Sequence, residues 1–210
     1  MNAQECLNML REMRDCVFST ADAEGRPQSR VIDVMLVEGE ALYFCTARGK
    51  HFYRELEQNP HIAVTGLNDK WQTVRLSGRA ERLTDQKRWI DRIFAENPSM
   101  NDVYPGESRY ILEPFRIRAG TLELFDLGVS PIHRESFAFG GEQVRQKGFF
   151  ITDTCIGCGT CAAGCPQRCI DAGTPYVIRQ ENCLHCGRCF EACPVGAIRR
   201  LEAEDGSPAG

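Results

Sequence analysis

Hydrophobic residues in the first 140 positions recur at helical spacing first and at strand-like spacing afterwards. Leu7, Leu10 and Met13 fall three residues apart and predict a short helix over 3–14. The chain after Arg14 is rich in β-branched and aromatic residues and is interrupted by turns that contain Gly and Pro. This pattern predicts an antiparallel meander of three strands, at 16–20, 28–37 and 41–46.

The remainder of this region predicts two further helices and five further strands. The helices begin near Lys50 and Thr84 and end before Pro60 and Pro98. Gly78 interrupts the longest of these strands, which predicts a bulge or a close approach of another backbone segment. The strands lie at 61–67, 71–83, 109–118, 120–127 and 133–139, with a loop at 98–108. A mainly β region with so many antiparallel strands is expected to close into a barrel, which removes exposed edges.

The composition is that of an ordinary soluble protein, with 42% hydrophobic residues, 26% charged residues and a formal net charge of −4. A negative charge balance provides no basic field for nucleic acid. The sequence shows no apolar run of 18 residues and no charged-then-apolar leader, so we expect neither a membrane span nor a signal peptide. Twelve cysteines in such a chain indicate a reducing cytoplasm.

Eight of the twelve cysteines form two runs with the same spacing. Two-residue gaps allow one tight loop to aim three thiolates at a compact cluster, and this is the spacing of the bacterial two-cluster iron–sulfur pattern. The first run has the form C-x-x-C-x-x-C-x-x-x-C-P, and the second repeats it at an offset of 28 residues. The runs comprise Cys155, Cys158, Cys161 and Cys165 before Pro166, and Cys183, Cys186, Cys189 and Cys193 before Pro194.

The repeated spacing predicts two [4Fe–4S] clusters in which the fourth cysteine of each run serves the other cluster. One predicted ligand set is Cys155, Cys158, Cys161 and Cys193, and the other is Cys183, Cys186, Cys189 and Cys165. A zinc module or a disulfide framework is the alternative, but zinc sites usually pair two C-x-x-C units across a longer loop. The remaining thiols are expected to be buried apolar residues: Cys6, Cys16, Cys45 and Cys169.

Residues 148–201 therefore resemble the bacterial 2[4Fe–4S] ferredoxins, and the resemblance implies a small α+β domain. We expect four segments along the chain: a barrel domain at 1–140, a linker at 141–148, the ferredoxin-type domain at 149–201, and a disordered tail at 202–210.

A second set of residues follows the order of a known family. A strand ends in Thr20, a turn with Asp22, Gly25 and Pro27 follows, and the next strand starts near Arg30. An aromatic strand then ends in Thr46, Lys50 opens a helix, and Asn59-Pro60 precedes an apolar strand. In this order and spacing, residues 5–140 resemble the pyridoxamine 5′-phosphate oxidase-like split-barrel family, which binds FMN.

The resemblance implies an FMN site, usually placed at a homodimer interface. Arg30 and Lys50 would hold the phosphate, and Thr46 would hydrogen-bond the phosphate or the ribityl chain. The remaining implied contacts are Val31, Ile32 and Asp33 through their backbone, and Gln72 and Thr73 at the start of the long strand. Taken one at a time, Arg30 and Lys50 also fit the description of solvated surface charges.

Together the two resemblances imply an FMN-dependent oxidoreductase of unknown substrate, with a ferredoxin module that relays single electrons to or from the flavin. A redox partner such as a ferredoxin or a low-potential enzyme, a small-molecule substrate and an anaerobic setting are expected. The alternative is a non-catalytic electron carrier or redox sensor, with the barrel as a docking and dimerisation module. Haem or a deazaflavin in the barrel is a third possibility. No further catalytic residue is identified.

Overall fold

The computed structural model describes residues 1–201, so the predicted disordered tail at 202–210 lies outside the described residues. The chain divides into two compact units. The first comprises residues 1–124 and 136–143, and the second comprises 125–135 together with the described residues 144–201. The predicted linker at 141–148 contains this last division, and the second unit additionally takes residues that were expected in the barrel domain.

The first unit is built on one curled antiparallel sheet. Its strand order is β2-β1-β5-β6-β7-β4-β3, and β8 pairs with β7. The strands are β1 (Asp15–Ala21), β2 (Pro27–Asp33), β3 (Leu36–Glu38), β4 (Ala41–Ala47), β5 (His61–Leu67), β6 (Gln72–Arg82), β7 (Leu112–Asp126) and β8 (His133–Phe139). The end of β7 and the start of β8 extend into the second unit's residues 125–135. The mainly β fold class predicted from the sequence is confirmed.

Short helices cover the sheet and contribute to its core. They are α1 (Ala3–Met13), α2 (His51–Gln58), α3 (Gln86–Glu96) and α4 (Met100–Val103), with a 3-10 turn at Gly106–Ile111. A capping box starts α1, because the side chain of Asn2 accepts from the backbone of Glu5 and the side chain of Glu5 accepts from the backbone of Asn2. The core beneath them is aromatic, with Phe18 and Phe44 fully buried and their ring centroids 5.0 Å apart. Across residues 1–201, no helix combines the length and the apolar character needed to cross a membrane.

Strand positions were predicted well, but their connection was not. The single strand predicted at 28–37 is wrong, because the chain divides into β2 and β3 at Val34. The backbone N–H of Val34 donates to the carbonyl oxygen of Arg14 at 2.9 Å, and the side chain of Arg11 donates to the carbonyl oxygen of Val34 at 2.6 Å. These bonds tie Val34 to the end of α1 instead of to a strand. The predicted meander is also wrong, since β1–β2 and β3–β4 lie at opposite ends of the strand order.

The crossing of β6 and β7 confirms the prediction made for Gly78. A Cβ atom at Gly78 would lie 2.6 Å from the carbonyl oxygen of Ala119, and a Cβ atom at Gly120 would clash with the carbonyl oxygen of Ser77. The two strands predicted at 109–118 and 120–127 are one continuous strand, because Gly120 allows this close approach without a break. The predicted loop at 98–108 contains α4 and the start of the 3-10 turn.

The second unit is small and contains two short antiparallel strand pairs and two short helices. Strand β9 (Phe149–Ile151) pairs with β12 (Ile198–Arg200), and β10 (Ile170–Asp171) pairs with β11 (Val177–Ile178). The helices are α5 (Thr160–Ala163) and α6 (Arg188–Ala192), and a 3-10 turn lies at Gln180–Asn182. Phe149 and Ile198 are buried in its core.

The 28-residue sequence repeat is also a repeat of backbone conformation. Three pairs of residues at this offset adopt positive φ: Gly157 and His185 at 70° and 56°, Gly159 and Gly187 at 77° and 81°, and Arg168 and Gly196 at 50° and 61°. A positive φ favours glycine, so His185 and Arg168 adopt it because the repeated loop requires it. The two cysteine runs therefore fold as two similar halves.

Candidate functional site

A cavity of about 670 Å³ opens in the first unit between the turn that joins β1 to β2 and helix α2. Its volume lies within the range of about 300–1,000 Å³ that is typical of small-molecule and cofactor sites. Its lining is rich in cations: Arg26, Arg30, Lys50 and Arg54, with His51 beside them. This lining suits an anionic ligand.

Arg30 is fixed inside the cavity by a buried carboxylate. Its guanidinium donates to Glu55 Oε2 at 2.7 Å and to Thr20 Oγ1 at 2.6 Å, and it lies 4.5 Å from the ring centroid of Phe52. Thr20 Oγ1 in turn donates to Glu55 Oε2 at 2.5 Å. Glu55 is only 7% exposed, and a carboxylate so buried requires a paired cation. The pair therefore holds Arg30 in one orientation at the cavity wall.

The other three cations differ in how far they are already neutralised. Arg26 pairs with Asp22 at 2.9 Å and with Glu24 at 2.5 Å. Desolvation opposes ionisation of Asp22, but hydrogen bonds from Arg26 and Gln28 outweigh it and lower the pKa of that carboxyl. The side chains of Lys50 and Arg54, in contrast, form no hydrogen bond or ion pair with any residue from 1 to 201.

Lys50 and Arg54 lie on the same side of α2. Lys50 occupies the N-cap position of the helix without a capping hydrogen bond from its side chain, and Arg54 follows four positions later, about one turn on. Both line the cavity. The part of the cavity near these two unpaired cations is therefore the most favourable place for a phosphate.

The cavity brings together four of the eight residues predicted to contact FMN. These are Arg30, Val31, Ile32 and Lys50. The other four lie outside its lining: Asp33, Thr46, Gln72 and Thr73. Asp33 pairs with Arg14 at 3.0 Å, and the amide oxygen of Gln72 accepts from Asn68 at 2.9 Å. Their contacts with FMN stay a prediction.

Thr46 lies outside the cavity lining but has one feature of a binding residue. It is 1% exposed, and its Oγ1 has no hydrogen-bond partner within residues 1–201. A buried hydroxyl without a partner is unfavourable by about 1–3 kcal/mol, so such groups usually have a ligand or water to bind. The donor set of Arg30, Lys50 and Arg54 in the cavity fits the phosphate of FMN, and a role for Thr46 in the same site stays a prediction.

Sequence reasoning missed Arg54 and Glu55. Arg54 could have been found, because a cation four residues after Lys50 in a predicted helix falls on the same face. Glu55 could not, since its role depends on Arg30, which lies 25 residues away in the sequence. The hydrophobic pattern of an amphipathic helix assigns an acidic residue to the exposed face, so the burial of Glu55 could not be predicted from it.

In the second unit, the cysteines of one predicted ligand set share a small cavity. Cys165 from the first run lines it together with Cys183, Cys186 and Cys189 from the second run, and Cys169 lies beside them. This is the crossed grouping that the spacing predicts. The Sγ atoms of Cys165 and Cys169 are 3.5 Å apart.

Backbone amides donate to the sulfurs in both halves of the repeat. The N–H of Gly157 donates to Cys155 Sγ at 3.5 Å, and the N–H of the equivalent residue, His185, donates to Cys183 Sγ at 3.4 Å. The N–H of Ala197 donates to Cys193 Sγ at 3.2 Å. Hydrogen bonds of this kind stabilise thiolates and tune the potential of an iron–sulfur cluster. The donor set and its amides fit iron–sulfur ligation.

The first run also brings three cysteines together. Burial raises the pKa of Cys161, and the nearby charges of Cys155 and Cys158 raise it further. Within residues 1–201, no three metal-binding side chains converge on one ion position and no disulfide is formed. A cubane takes one thiolate for each of its four irons, so its ligands surround a volume instead of meeting at a point. The inclusion of Cys193 in this group stays a prediction.

The four cysteines outside the predicted ligand sets are buried, as predicted: Cys6, Cys16, Cys45 and Cys169. Burial raises the pKa of both Cys16 and Cys45 to about 12. Neither thiol ionises appreciably near neutral pH, so both behave as small apolar residues.

Both halves of the chain have relatives among known proteins. Residues 3–104 match the family model for pyridoxamine 5′-phosphate oxidase, and residues 154–197 match that for a 4Fe-4S dicluster domain. Dihydrophenazinedicarboxylate synthase from Pseudomonas chlororaphis is 32% identical over 93 residues, which is 42% of each chain. A pyridoxine/pyridoxamine 5′-phosphate oxidase from Rubrobacter xylanophilus is 30% identical over 147 residues, 66% of this chain and 64% of the relative. These matches thus span less than two thirds of either relative.

The fold of the barrel is shared with solved structures. A NimC/NimA family protein from Clostridium acetobutylicum superposes with a TM-score of 0.56 at 18% identity, over 66% of this chain and 92% of that one. Residues 3–104 therefore match the pyridoxamine 5′-phosphate oxidase family on a split-barrel fold, and in this chain they are joined to a ferredoxin-type 4Fe-4S dicluster domain.

Proposed function

We propose that the protein is an FMN-dependent oxidoreductase whose ferredoxin-type module relays single electrons to or from the flavin. When bound, FMN exchanges electrons singly or in pairs, whereas a [4Fe–4S] cluster exchanges one at a time. The observation that carries the proposal is the cation-lined cavity of about 670 Å³, which joins residues predicted for FMN in a chain that also holds two cysteine runs.

The residues of the cavity would hold FMN through its phosphate. Arg30, oriented by Glu55, presents its guanidinium from the cavity wall, and Lys50 and Arg54 add the two charges that have no other partner within residues 1–201. The hydroxyl of Thr46 would satisfy its hydrogen bond with the phosphate or the ribityl chain. Val31 and Ile32 line the same cavity, and their backbone groups would contact the ring.

A homodimer is part of this proposal. Asp33, Gln72 and Thr73 lie outside the cavity of one chain, and sites in this family usually combine residues of two chains. The exposed apolar residues Val17 and Val31 face each other in the β1–β2 register, which supports a covered surface at this position. Light scattering at micromolar concentration should give twice the chain mass, and a monomer would count against the placement of the site.

The cysteines would bind two [4Fe–4S] clusters with crossed ligand sets. The grouping of Cys165 with Cys183, Cys186 and Cys189 around one cavity supports this assignment. A ferredoxin or another low-potential enzyme would exchange electrons with the clusters, and the flavin would act on a small-molecule substrate. The relatives' names identify their own reactions, and the substrate of this chain follows from neither.

The test is to purify the protein without oxygen and to measure iron, acid-labile sulfide and released flavin per chain. We expect about eight irons, two cubanes of four, and one FMN. The substitution Lys50→Ala should lower the FMN content and leave the iron content unchanged, because its side chain lines the cavity of the first unit and belongs to neither cysteine run.

The other outcomes distinguish the alternatives. Iron without flavin would contradict the oxidoreductase and favour the electron carrier or sensor. Haem or a deazaflavin in place of FMN would show as a different absorption spectrum. Zinc in place of iron would overturn the cluster assignment.

A further inference from the structure

The compact unit that carries the cysteines includes a segment of the β7–β8 hairpin. Residues 125–135, here called the strap, belong to this unit although they precede its first cysteine by about 20 positions. The strap lies outside both family matches, which cover 3–104 and 154–197. The two family matches therefore do not explain why the strap belongs to this unit, and the explanation has to come from its contacts in this chain.

The strap is held by both backbone groups of one residue. The backbone N–H of Ile132 donates to Gln167 Oε1 at 3.2 Å, and its carbonyl oxygen accepts from Asn182 Nδ2 at 2.9 Å. Ile132 is 5% exposed, so its side chain is buried, and both hydrogen bonds are partly buried. A single residue of the strap is thereby fixed to two different parts of the unit.

Those two parts carry cysteines of the same ligand set. Gln167 follows Cys165 by two residues, and Asn182 immediately precedes Cys183. Cys165 and Cys183 both line the small cavity of the crossed set. Ile132 therefore bridges the segment that supplies the one ligand from the first run and the segment that supplies the three ligands from the second.

The strap also has internal contacts that give it a defined shape. The guanidinium of Arg134 lies 4.5 Å from the ring centroid of Phe125, across the base of the segment. The carboxylate of Asp126 accepts from the backbone N–H of Gly128 at 2.8 Å. Such contacts lower the entropy lost when the strap binds, so it can act as a preformed element.

The other half of the repeat provides a built-in comparison. Thr154 precedes Cys155 as Asn182 precedes Cys183, and its hydroxyl bonds to that of Thr152 at 2.7 Å. Val195 takes the place of Gln167 and has no side-chain hydrogen-bonding group. The polar pair that holds Ile132 is thus present in one half of the repeat only.

We propose that the strap is a part of the iron–sulfur site: it clamps the segments of Cys165 and Cys183 together and slows the loss of iron from their ligand set. The proposal rests on the iron–sulfur assignment made above. Residues 125–135 act through Gln167 and Asn182, which are positioning residues for the cysteines and not ligands themselves.

The experiment compares iron release from full-length, anaerobically loaded protein into a colorimetric iron chelator. Ile132→Ala removes the packed side chain at a position far from every cysteine in sequence, and Asn182→Ala removes one of the two hydrogen bonds. Thr154→Ala is the matched control in the other half of the repeat. We expect either variant at the clamp to release about half of the iron roughly tenfold faster than the unmodified protein, and Thr154→Ala to release it at the unmodified rate.

Each result decides the question. If Asn182→Ala accelerates release but Ile132→Ala does not, Asn182 acts only on its own loop and the proposal is wrong. Acceleration for all of the iron, or in Thr154→Ala to the same degree, would also refute a clamp on one ligand set. Unmodified protein that holds no iron overturns the iron–sulfur assignment itself, and that failure is distinct because it precedes any comparison of variants.

Discussion

Replacing Arg54 by alanine should weaken FMN binding more than replacing Arg26 by alanine, although both side chains line the same cavity. The two substitutions remove the same group and the same formal charge. They differ in whether the guanidinium already forms an ion pair: Arg26 pairs with Asp22 and Glu24, whereas Arg54 has no partner within residues 1–201. Only an uncompensated charge has its full interaction left to offer a phosphate.

The magnitude follows from the strength of charge-assisted hydrogen bonds. A bond between an ionised donor and acceptor contributes about 1.5–3 kcal/mol, and solvent exposure of Arg54 places it at the lower end. A loss of about 1.4 kcal/mol corresponds to a tenfold rise in Kd. Arg26 shares its charge with two carboxylates, so its removal should raise Kd by less than about threefold.

The assay is a titration of flavin-free protein with FMN, followed through the quenching of flavin fluorescence at low and moderate salt. The effect of Arg54→Ala should shrink as salt rises, because an exposed charge is screened. Equal effects of the two substitutions, or a larger effect of Arg26→Ala, would refute the reasoning that pairing decides which cation binds the phosphate.

Three further predictions concern stability and reactivity. Gly78→Ala should destabilise the first unit by about 1–3 kcal/mol, because the added Cβ meets the backbone of β7. The control Gly49→Ala should not destabilise it, because a Cβ at Gly49 meets open space. Both tryptophans lie in this unit, so urea unfolding followed by tryptophan fluorescence reports its stability, and equal unfolding midpoints for the two variants would contradict the close crossing of β6 and β7. Burial raises the pKa of Cys45 to about 12, so iodoacetamide at pH 8 should label it only after denaturation, and rapid labelling of native protein would refute its burial. Burial opposes ionisation of Glu81, but hydrogen bonds from two arginines of β7 outweigh it and lower the pKa of this carboxyl. The ionised carboxylate therefore stabilises the fold at neutral pH, and this stabilisation is lost as the pH falls below about 4.5. The difference in unfolding free energy between the unmodified protein and Glu81→Gln should shrink at low pH, and a constant difference would contradict the pairing.

Periodicity was sufficient for the elements because each helix and strand is decided by nearby residues. Strands 61–67 and 133–139 and the start of α1 follow directly from the pattern. The strand order was not accessible in this way. The break at Val34 arises from hydrogen bonds with Arg11 and Arg14, which belong to a different element, so no local pattern marks it.

The cysteine site and the flavin cavity also differ in whether residues close together in the sequence determine them. The cysteine spacing is local and chemically demanding, so it predicts four of the thiols that line one cavity, whereas Cys169, which lines the same cavity, was not among them. The flavin cavity depends on pairs that are distant in sequence, such as Arg30 with Glu55. The strap was not predicted at all, because it is held through the backbone of Ile132, and backbone groups are the same in every sequence.

The discontinuous second unit has a consequence for the order in which the chain is made. Its residues 125–135 leave the ribosome before any of the eight motif cysteines, while the first unit needs nothing beyond Gln143. Because domains generally fold as units during synthesis, the barrel can complete its sheet while the hairpin end still lacks its partner segments. Translation therefore separates barrel folding from cluster assembly in time, and the strap is synthesised before the cysteine segments to which it binds.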